Sequence, residues 1–361
     1  ENLTTLNLRG CQALASLGEN IGKLVNLKTL TLSGCKVLKE LPEGFGNLIQ
    51  LTALDLSDCE RLERLSSDIG NLQVSTLTLR GCKLLKAVPE SFGKLDKLTK
   101  LNFYDCAALE SLPESIGNLT KVTEIDVSQC TALTSLPASL GQLTGLKKLT
   151  MPRTGLTTLP AAISSLSALE ELDVTGKEGT PGIRGVAADV FSGLTKLKKL
   201  NASNNSFSGD LSWLKNLSAL QTLRLDGNQL SGQLDLSQFS PNLTDVYLSN
   251  NKLEGNLNGI STLTKVRNLY LEHNLLSGEL PAELGNCSTL SYFYLSNNNI
   301  TGTIPVEVAK MNLGYSGLKL NGNRMSGEIP AEVLSSAVWK KLYPETNIYP
   351  QQEGYGFSNV K

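Results

Sequence analysis

Seven cysteines and a single histidine are the residues in this 361-residue chain whose side chains could do chemistry. Six of the cysteines stand at Cys11, Cys35, Cys59, Cys82, Cys106 and Cys130, with gaps of 24, 24, 23, 24 and 24 residues. A thiol can serve as a nucleophile, as half of a disulfide or as a zinc ligand. The close C-x-x-C spacing of a structural zinc site does not occur, so no metal or other cofactor is expected. The histidine, His273, follows Glu272, and Ser249 and Ser296 fall in the flanking stretches. A hydrolytic pair would need a nucleophile and a base within hydrogen-bond reach, in a pocket that excludes water.

What must position these residues is a repeat. "LTLSGCKVLKELPEGFGNL" begins at Leu30, "LDLSDCERLERLSSDIGNL" at Leu54, "LNFYDCAALESLPESIGNL" at Leu101 and "IDVSQCTALTSLPASLGQL" at Ile125. Past Cys130 the same slot holds Thr154 and Lys177, then Asn205, Asn228, Asn251, Asn274, Asn298 and Asn323. Self-similarity at a short fixed period marks a solenoid of stacked coils. About fourteen repeats can be counted from Leu3 to about Leu334.

The pattern has a physical reading. In Leu101-Asn102-Phe103 alternate side chains point to opposite faces, so Leu101 and Phe103 turn inward while Asn102 and Tyr104 turn out. The slot that follows takes the chain out of the strand and leaves backbone groups inside that need partners. Asparagine can donate and accept there, and cysteine offers a compact body with a weak S–H donor. We therefore expect two buried ladders, one of cysteine and one of asparagine. Neighbouring ladder cysteines would lie one strand spacing apart, about 4.8 Å, with parallel side chains, whereas a disulfide needs Cβ atoms about 3.8 Å apart. Free thiols are the expectation. Cys287 takes a position where other repeats carry leucine and reads as core.

These phrases resemble the leucine-rich repeat family across nearly the whole chain. The resemblance implies an α/β, right-handed solenoid with a parallel β-sheet on its concave face. Most units from the second to the seventh repeat end in "LPxxxGxL", as in "LPESIGNL". Later units read "LSGELPAELGNC", "ITGTIPVEVAKM" and "MSGEIPAEVL", and are similar to the plant-specific repeat subtype, in which the S/T-G-x-[IL]-P run forms a second short strand. Four segments follow: residues 1–176 with the cysteine ladder; an irregular insertion at 177–194, marked by Gly179, Pro181, Gly182 and Gly185; residues 195–338 with the asparagine ladder, in the same continuous solenoid; and an aromatic tail at 339–361. The tail, with Trp339, Tyr343, Tyr349, Tyr355 and Phe357, would fold back as a cap over an open edge. Its "PQQEGYGF" looks like the ending of exported, often lipid-anchored surface proteins of Bacteroidetes-type gut bacteria, which implies a secreted or cell-surface bacterial lipoprotein.

Composition narrows the function classes. Net charge is −1 with both signs interspersed, which argues against nucleic acid as a partner. No apolar run approaches the roughly 20 residues of a membrane span. The chain opens inside its first repeat, at "ENLTTLNLRGC", and we expect a mature fragment whose leader, anchor or preceding domain lies upstream. Sequons such as Asn118-Leu-Thr and Asn242-Leu-Thr read as the ordinary join between repeats.

The outward positions are small or charged in the first half: Thr29, Thr31 and Ser33; Ala53, Asp55 and Ser57; Glu124, Asp126 and Ser128. In repeats eleven to thirteen the same column holds Tyr247, Tyr270 and Tyr294, with Tyr292 beside them and Glu272, His273, Asp245 and Asn268 around them. Exposed aromatics with polar handles suit binding surfaces. Cross-strand aromatic pairing, worth about 0.2 to 1 kcal/mol each, would also account for the strip. We expect a non-catalytic module that binds a protein, peptide or glycan through Tyr247, Tyr270, Tyr292 and Tyr294, with Glu272 and His273 as polar neighbours. Rival readings are a plant receptor ectodomain, suggested by the SGxIP units, an intracellular immune-sensor repeat domain, suggested by "GCxxLxxLP", and a hydrolase built on His273.

Overall fold

The structure, a computed structural model, describes residues 2–180 and 182–359; Glu1, Pro181 of the insertion, and Val360 and Lys361 of the tail lie outside the described residues. It divides into two compact units, Glu1–Ile183 and Arg184–Lys361. The fourteen main strands fall eight in the first and six in the second.

In the first unit the three-residue strands are Thr5–Asn7, Thr29–Thr31, Ala53–Asp55, Thr76–Thr78, Lys100–Asn102, Glu124–Asp126, Lys148–Thr150 and Glu171–Asp173. Each runs parallel to the next, leucine or isoleucine against its counterpart, as in Leu30↔Leu54 and Leu101↔Ile125. From Leu30 onward these central residues are buried, Leu6 of the first strand being half-buried, while their neighbours face out, so each coil hides its apolar side only against the coils beside it.

The return segments are short 3-10 turns, such as Glu90–Lys94, Glu114–Asn118 and Ala138–Gln142. Among the described residues the α-helices are Ala187–Phe191, Ala331–Ser335 and Pro344–Asn347, none longer than five residues. The glycine of "LPxxxGxL" explains how the turns stack. A Cβ at Gly117 would stand 2.6 Å from the carbonyl oxygen and 2.8 Å from the Cβ of Ser139 in the next coil, so only glycine lets adjacent turns approach this closely.

In the second unit the main strands are Lys199–Asn201, Thr222–Arg224, Asp245–Tyr247, Asn268–Tyr270, Tyr292–Tyr294 and Leu318–Lys319, again parallel and in register. Here the chain forms a second series of strands after the ladder slot. Arg184–Val186, Ser206–Gly209, Gln229–Leu234 and Lys252–Gly255 make one sheet, and Ser277–Glu279 pairs with Asn299–Thr301.

The two ladder residues account for this difference. Each buried cysteine makes one bond across the stack: Cys35, Cys59, Cys82, Cys106 and Cys130 donate to the carbonyls of Leu8, Leu32, Leu56, Leu79 and Phe103 in the preceding coil, all at 3.2 Å. The chain then closes into a turn at once, with Cys106 N–H bonded to Phe103 and Leu109 N–H to Cys106. Asparagine does more. Asn274 Nδ2 donates to Leu248 and Leu271, and its Oδ1 accepts from the N–H of Leu253, which belongs to the flanking strand of the coil before. Asn251, Asn298 and Asn323 repeat this arrangement, as does Asn228 with Ala202, Leu225 and Phe207. Asn205 donates to Ala202 and Ser203 in its own coil.

All seven cysteines are free thiols, and Cys287 is core. Cys11 departs from the expected burial. It belongs to the outermost described coil and is exposed among the described residues.

The tail lies on the last coil. Leu320 N–H donates to Asn347, Gly322 N–H to Pro350 and Gln352 N–H to Asn323, and Gly356–Phe357 pairs with Ser326–Gly327. Ile348 and Phe357 supply buried apolar surface, whereas Tyr343 and Tyr355 stand exposed. Among the described residues no helix is long and apolar enough to cross a membrane.

Candidate functional site

The strand register builds the site in columns. Arg224, Tyr247, Tyr270, Tyr294 and Lys319 are successive partners across five adjacent strands. The column beside it reads Thr222, Asp245, Asn268 and Tyr292. Beyond the strand ends follow Ser249, Glu272 and Ser296, and then the residue before each ladder asparagine, among them His273.

The three tyrosines form one stack. Tyr247 and Tyr270 have ring centroids 4.7 Å apart with planes at 29°, and Tyr270 and Tyr294 are also 4.7 Å apart, edge to face at 67°. Tyr292 meets Tyr294 edge-on at 6.3 Å. Cations close both ends, with Arg224 Cζ 4.3 Å from the Tyr247 centroid and Lys319 Nζ 4.1 Å from that of Tyr294. Cation–π contacts of this kind contribute about 0.5–1 kcal/mol at exposed sites. The rings are half-buried, and none of the four hydroxyls has a hydrogen-bond partner among the described residues.

Burial, the neighbouring phenols and Glu272 hold the Tyr270 and Tyr294 hydroxyls protonated. The Tyr270 phenol is pushed up to about 12, chiefly by desolvation and then by Tyr294 and Tyr247. Tyr294 is raised for the same first reason, with Glu272 adding to it. Burial also raises the Glu272 carboxyl, against the opposing pull of Lys319 and His273. Tyr270 and Tyr294 therefore present uncharged phenol donors in a column that Arg224 and Lys319 close at its ends.

Elsewhere the same column serves the backbone. Asp55, Asn102, Asp126 and Asp173 each accept the N–H of the residue two places on, closing the strand with a local turn. Tyrosine cannot do this, because its one polar atom lies at the far end of a rigid ring.

His273 sits where the chain turns left-handed, at φ 55°. The residue before each ladder position does so repeatedly: Gly34, Asp58, Gly81, Asp105, Gln129, Arg153, Asn204, Gly227, Asn250 and Asn297 all have φ between 56° and 75°. The sequence reading did not single out this slot, although its run of Gly, Asp and Asn, the types that tolerate such backbone, was a usable signal. The imidazole is exposed, with Nε2 3.2 Å from Asn297 Nδ2. Ser296 Oγ donates to Asn321 at 2.6 Å. His273 is thus engaged by an asparagine, and the serine–histidine contact a hydrolase needs is not formed.

Arg224 and Lys319 were not among the expected contact residues. Both occupy the tyrosine column, and counting one strand beyond each end of it would have found them.

The leucine-rich repeat region family matches residues 45–149 and 75–254, and the leucine rich repeat family matches 26–48, 265–287 and 289–311. No curated protein matches the chain by sequence. Among solved structures, a leucine-rich repeat protein of Leptospira interrogans is 28% identical, with TM-score 0.61, over 88% of this chain and 84% of that one. The Arabidopsis receptor kinase HAESA, solved in complex with the peptide hormone IDA and the co-receptor SERK1, is 24% identical with TM-score 0.63 over 89% of this chain, which spans 58% of it. An internalin of Listeria monocytogenes is 20% identical with TM-score 0.59 over 99% of this chain and 88% of its own. The last two are likenesses of fold.

Proposed function

The chain belongs to the leucine-rich repeat family, and we propose that it is a non-catalytic binding module that recognises a protein or peptide through the outward face of its second unit. The observation that carries this reading is the tyrosine stack, capped by Arg224 and Lys319, with its hydroxyls unpartnered. A sugar platform needs a free aromatic face, and here the end faces are taken by cations. What stays open is a row of ring edges and phenol donors, which suits the carbonyls and carboxylates of an extended chain. Tyr292, Glu272 and His273 border the row and would set register. HAESA, of related fold, is bound to a peptide hormone.

The reading extends to location. An exported protein at the cell surface is the reading that the "PQQEGYGF" ending supports, and the likeness to the Leptospira protein favours a bacterial one.

A random-peptide display library panned against the wild type, with each selected peptide then titrated against Tyr270→Ser/Tyr294→Ser, tests the site. Binding lost in a variant that still folds is the expected result. Peptides bound equally by both proteins would remove the strip from the function.

A further inference from the structure

The ladder is interrupted for two coils of the first unit, where Thr154 and Lys177 take the slot held by cysteine before. Thr154 is half-buried and donates its hydroxyl to Met151 O, while Lys177 leaves the interior and is exposed. An open pocket of about 440 Å³ lies at this break, walled by Gln129, Thr131, Arg153, Thr154, Lys177 and Thr180. Its volume is in the range of small-ligand sites.

The wall has a definite chemical character. It contains two cations and no carboxylate, and neither Arg153 nor Lys177 makes an ion pair among the described residues. Arg153 is held at φ 58°, in a left-handed slot that glycine, aspartate or asparagine usually fills, with its N–H fixed to Thr175 O at 3.0 Å. Such a conformation carries a cost for arginine. The three threonine hydroxyls have already given up their protons, Thr131 to Ala107 O, Thr154 to Met151 O and Thr180 to Lys177 O. Gln129 has likewise spent an Nε2 proton on the Tyr104 hydroxyl. What the threonine oxygens and the Gln129 carbonyl can still offer a ligand is acceptance. A guest that fits has an anionic group for Arg153 and Lys177 and hydroxyl donors for the threonines and Gln129.

We propose that this pocket binds an anionic saccharide, a sugar-sized polyol bearing one phosphate, sulfate or carboxylate group. It is separate from the tyrosine strip and does not depend on the reading given to that strip. The oxyanion docks between the guanidinium and the ammonium, and the ring hydroxyls donate to Thr131, Thr154 and Thr180.

Calorimetric titration of the whole chain with glucose 6-phosphate, glucuronate, glucose and inorganic phosphate tests it, beside the double variant Arg153→Asn/Lys177→Gln. Asparagine suits left-handed backbone, so the variant should melt with the wild type. The expected result is millimolar or tighter binding of glucose 6-phosphate or glucuronate, weakened roughly tenfold or more in the variant, as loss of charge-assisted bonds requires. Glucose should bind undetectably, and inorganic phosphate more weakly than its ester. No binding of either acidic sugar, or binding that survives in the variant, overturns the site. Inorganic phosphate binding as tightly as the ester overturns the saccharide assignment.

Discussion

The rings of Tyr247 and Tyr270 lie 4.7 Å apart, centroid to centroid, with planes only 29° from parallel. That spacing is the strand spacing itself, so the backbone register holds the rings in contact with no further adjustment. The stack is rigid for this reason, and a rigid aromatic surface loses little entropy when it meets a partner.

Tyr270 separates packing from recognition. Tyr270→Ser removes two aromatic contacts worth about 0.5–1.5 kcal/mol each and should lower stability by about 1–3 kcal/mol in urea. Tyr270→Phe keeps both contacts and removes only an unpartnered hydroxyl, so its unfolding midpoint should match the wild type. If peptides selected on the wild type bind the phenylalanine variant equally well, the hydroxyl row has no part in recognition.

The cysteines make a prediction about reagents and pH. Native protein treated with iodoacetamide should be alkylated at Cys11, the one exposed thiol, and at all seven only after unfolding. Desolvation pushes the Cys59 and Cys130 thiols up to about 12. A folded-state value above the unfolded one means the contribution is whole below about pH 9 and is lost as pH climbs through about 12. Melting temperature should therefore fall across that window, and fall less steeply in Cys59→Ala/Cys130→Ala.

The two ladders should differ in cost. Cys106→Ala removes one weak bond and a small volume, and about 1–2 kcal/mol is expected. Asn274→Ala strands the buried Leu253 N–H and removes one of two donors from each of the Leu248 and Leu271 carbonyls, which keep Asn251 and Asn298, and about 2–4 kcal/mol should be lost. Hydrogen exchange at the Leu253 amide reads the second effect locally, and protection there unchanged by Asn274→Ala would contradict the bonding described.

The return-turn glycines can be tested in pairs. Gly117→Ala places a methyl 2.6 Å from the Ser139 carbonyl and should cost about 1–3 kcal/mol. Gly145→Ala, whose Cβ would lie 3.6 Å from its nearest neighbour, Thr120 O, should be neutral or slightly stabilising by thermal melt.

Much of the fold was legible because a stacked coil repeats its requirements. Leu101, Phe103 and Cys106 announce an inward-facing strand and a closing slot, and the same letters recur at the next coil. Three things escaped that reading. The close approach behind Gly117 depends on a carbonyl in the following coil, which no single repeat displays. The exposure of Cys11 depends on what lies beside its coil, and the frame treats every rung alike. The cations at Arg224 and Lys319 share a column with the tyrosines, but the eye follows identity of residue type, and two positive charges at the ends of an aromatic run read as ordinary surface.

The bonds of Asn274 reach both its own coil and the one before, so the closing of each turn is completed by material from its neighbour. A cut-and-paste of one whole period restores every such link at the splice, whereas half a period restores none. Proteins built this way can lengthen or shorten by genetic duplication in whole steps, and a given length of surface is then a matter of how many steps were kept.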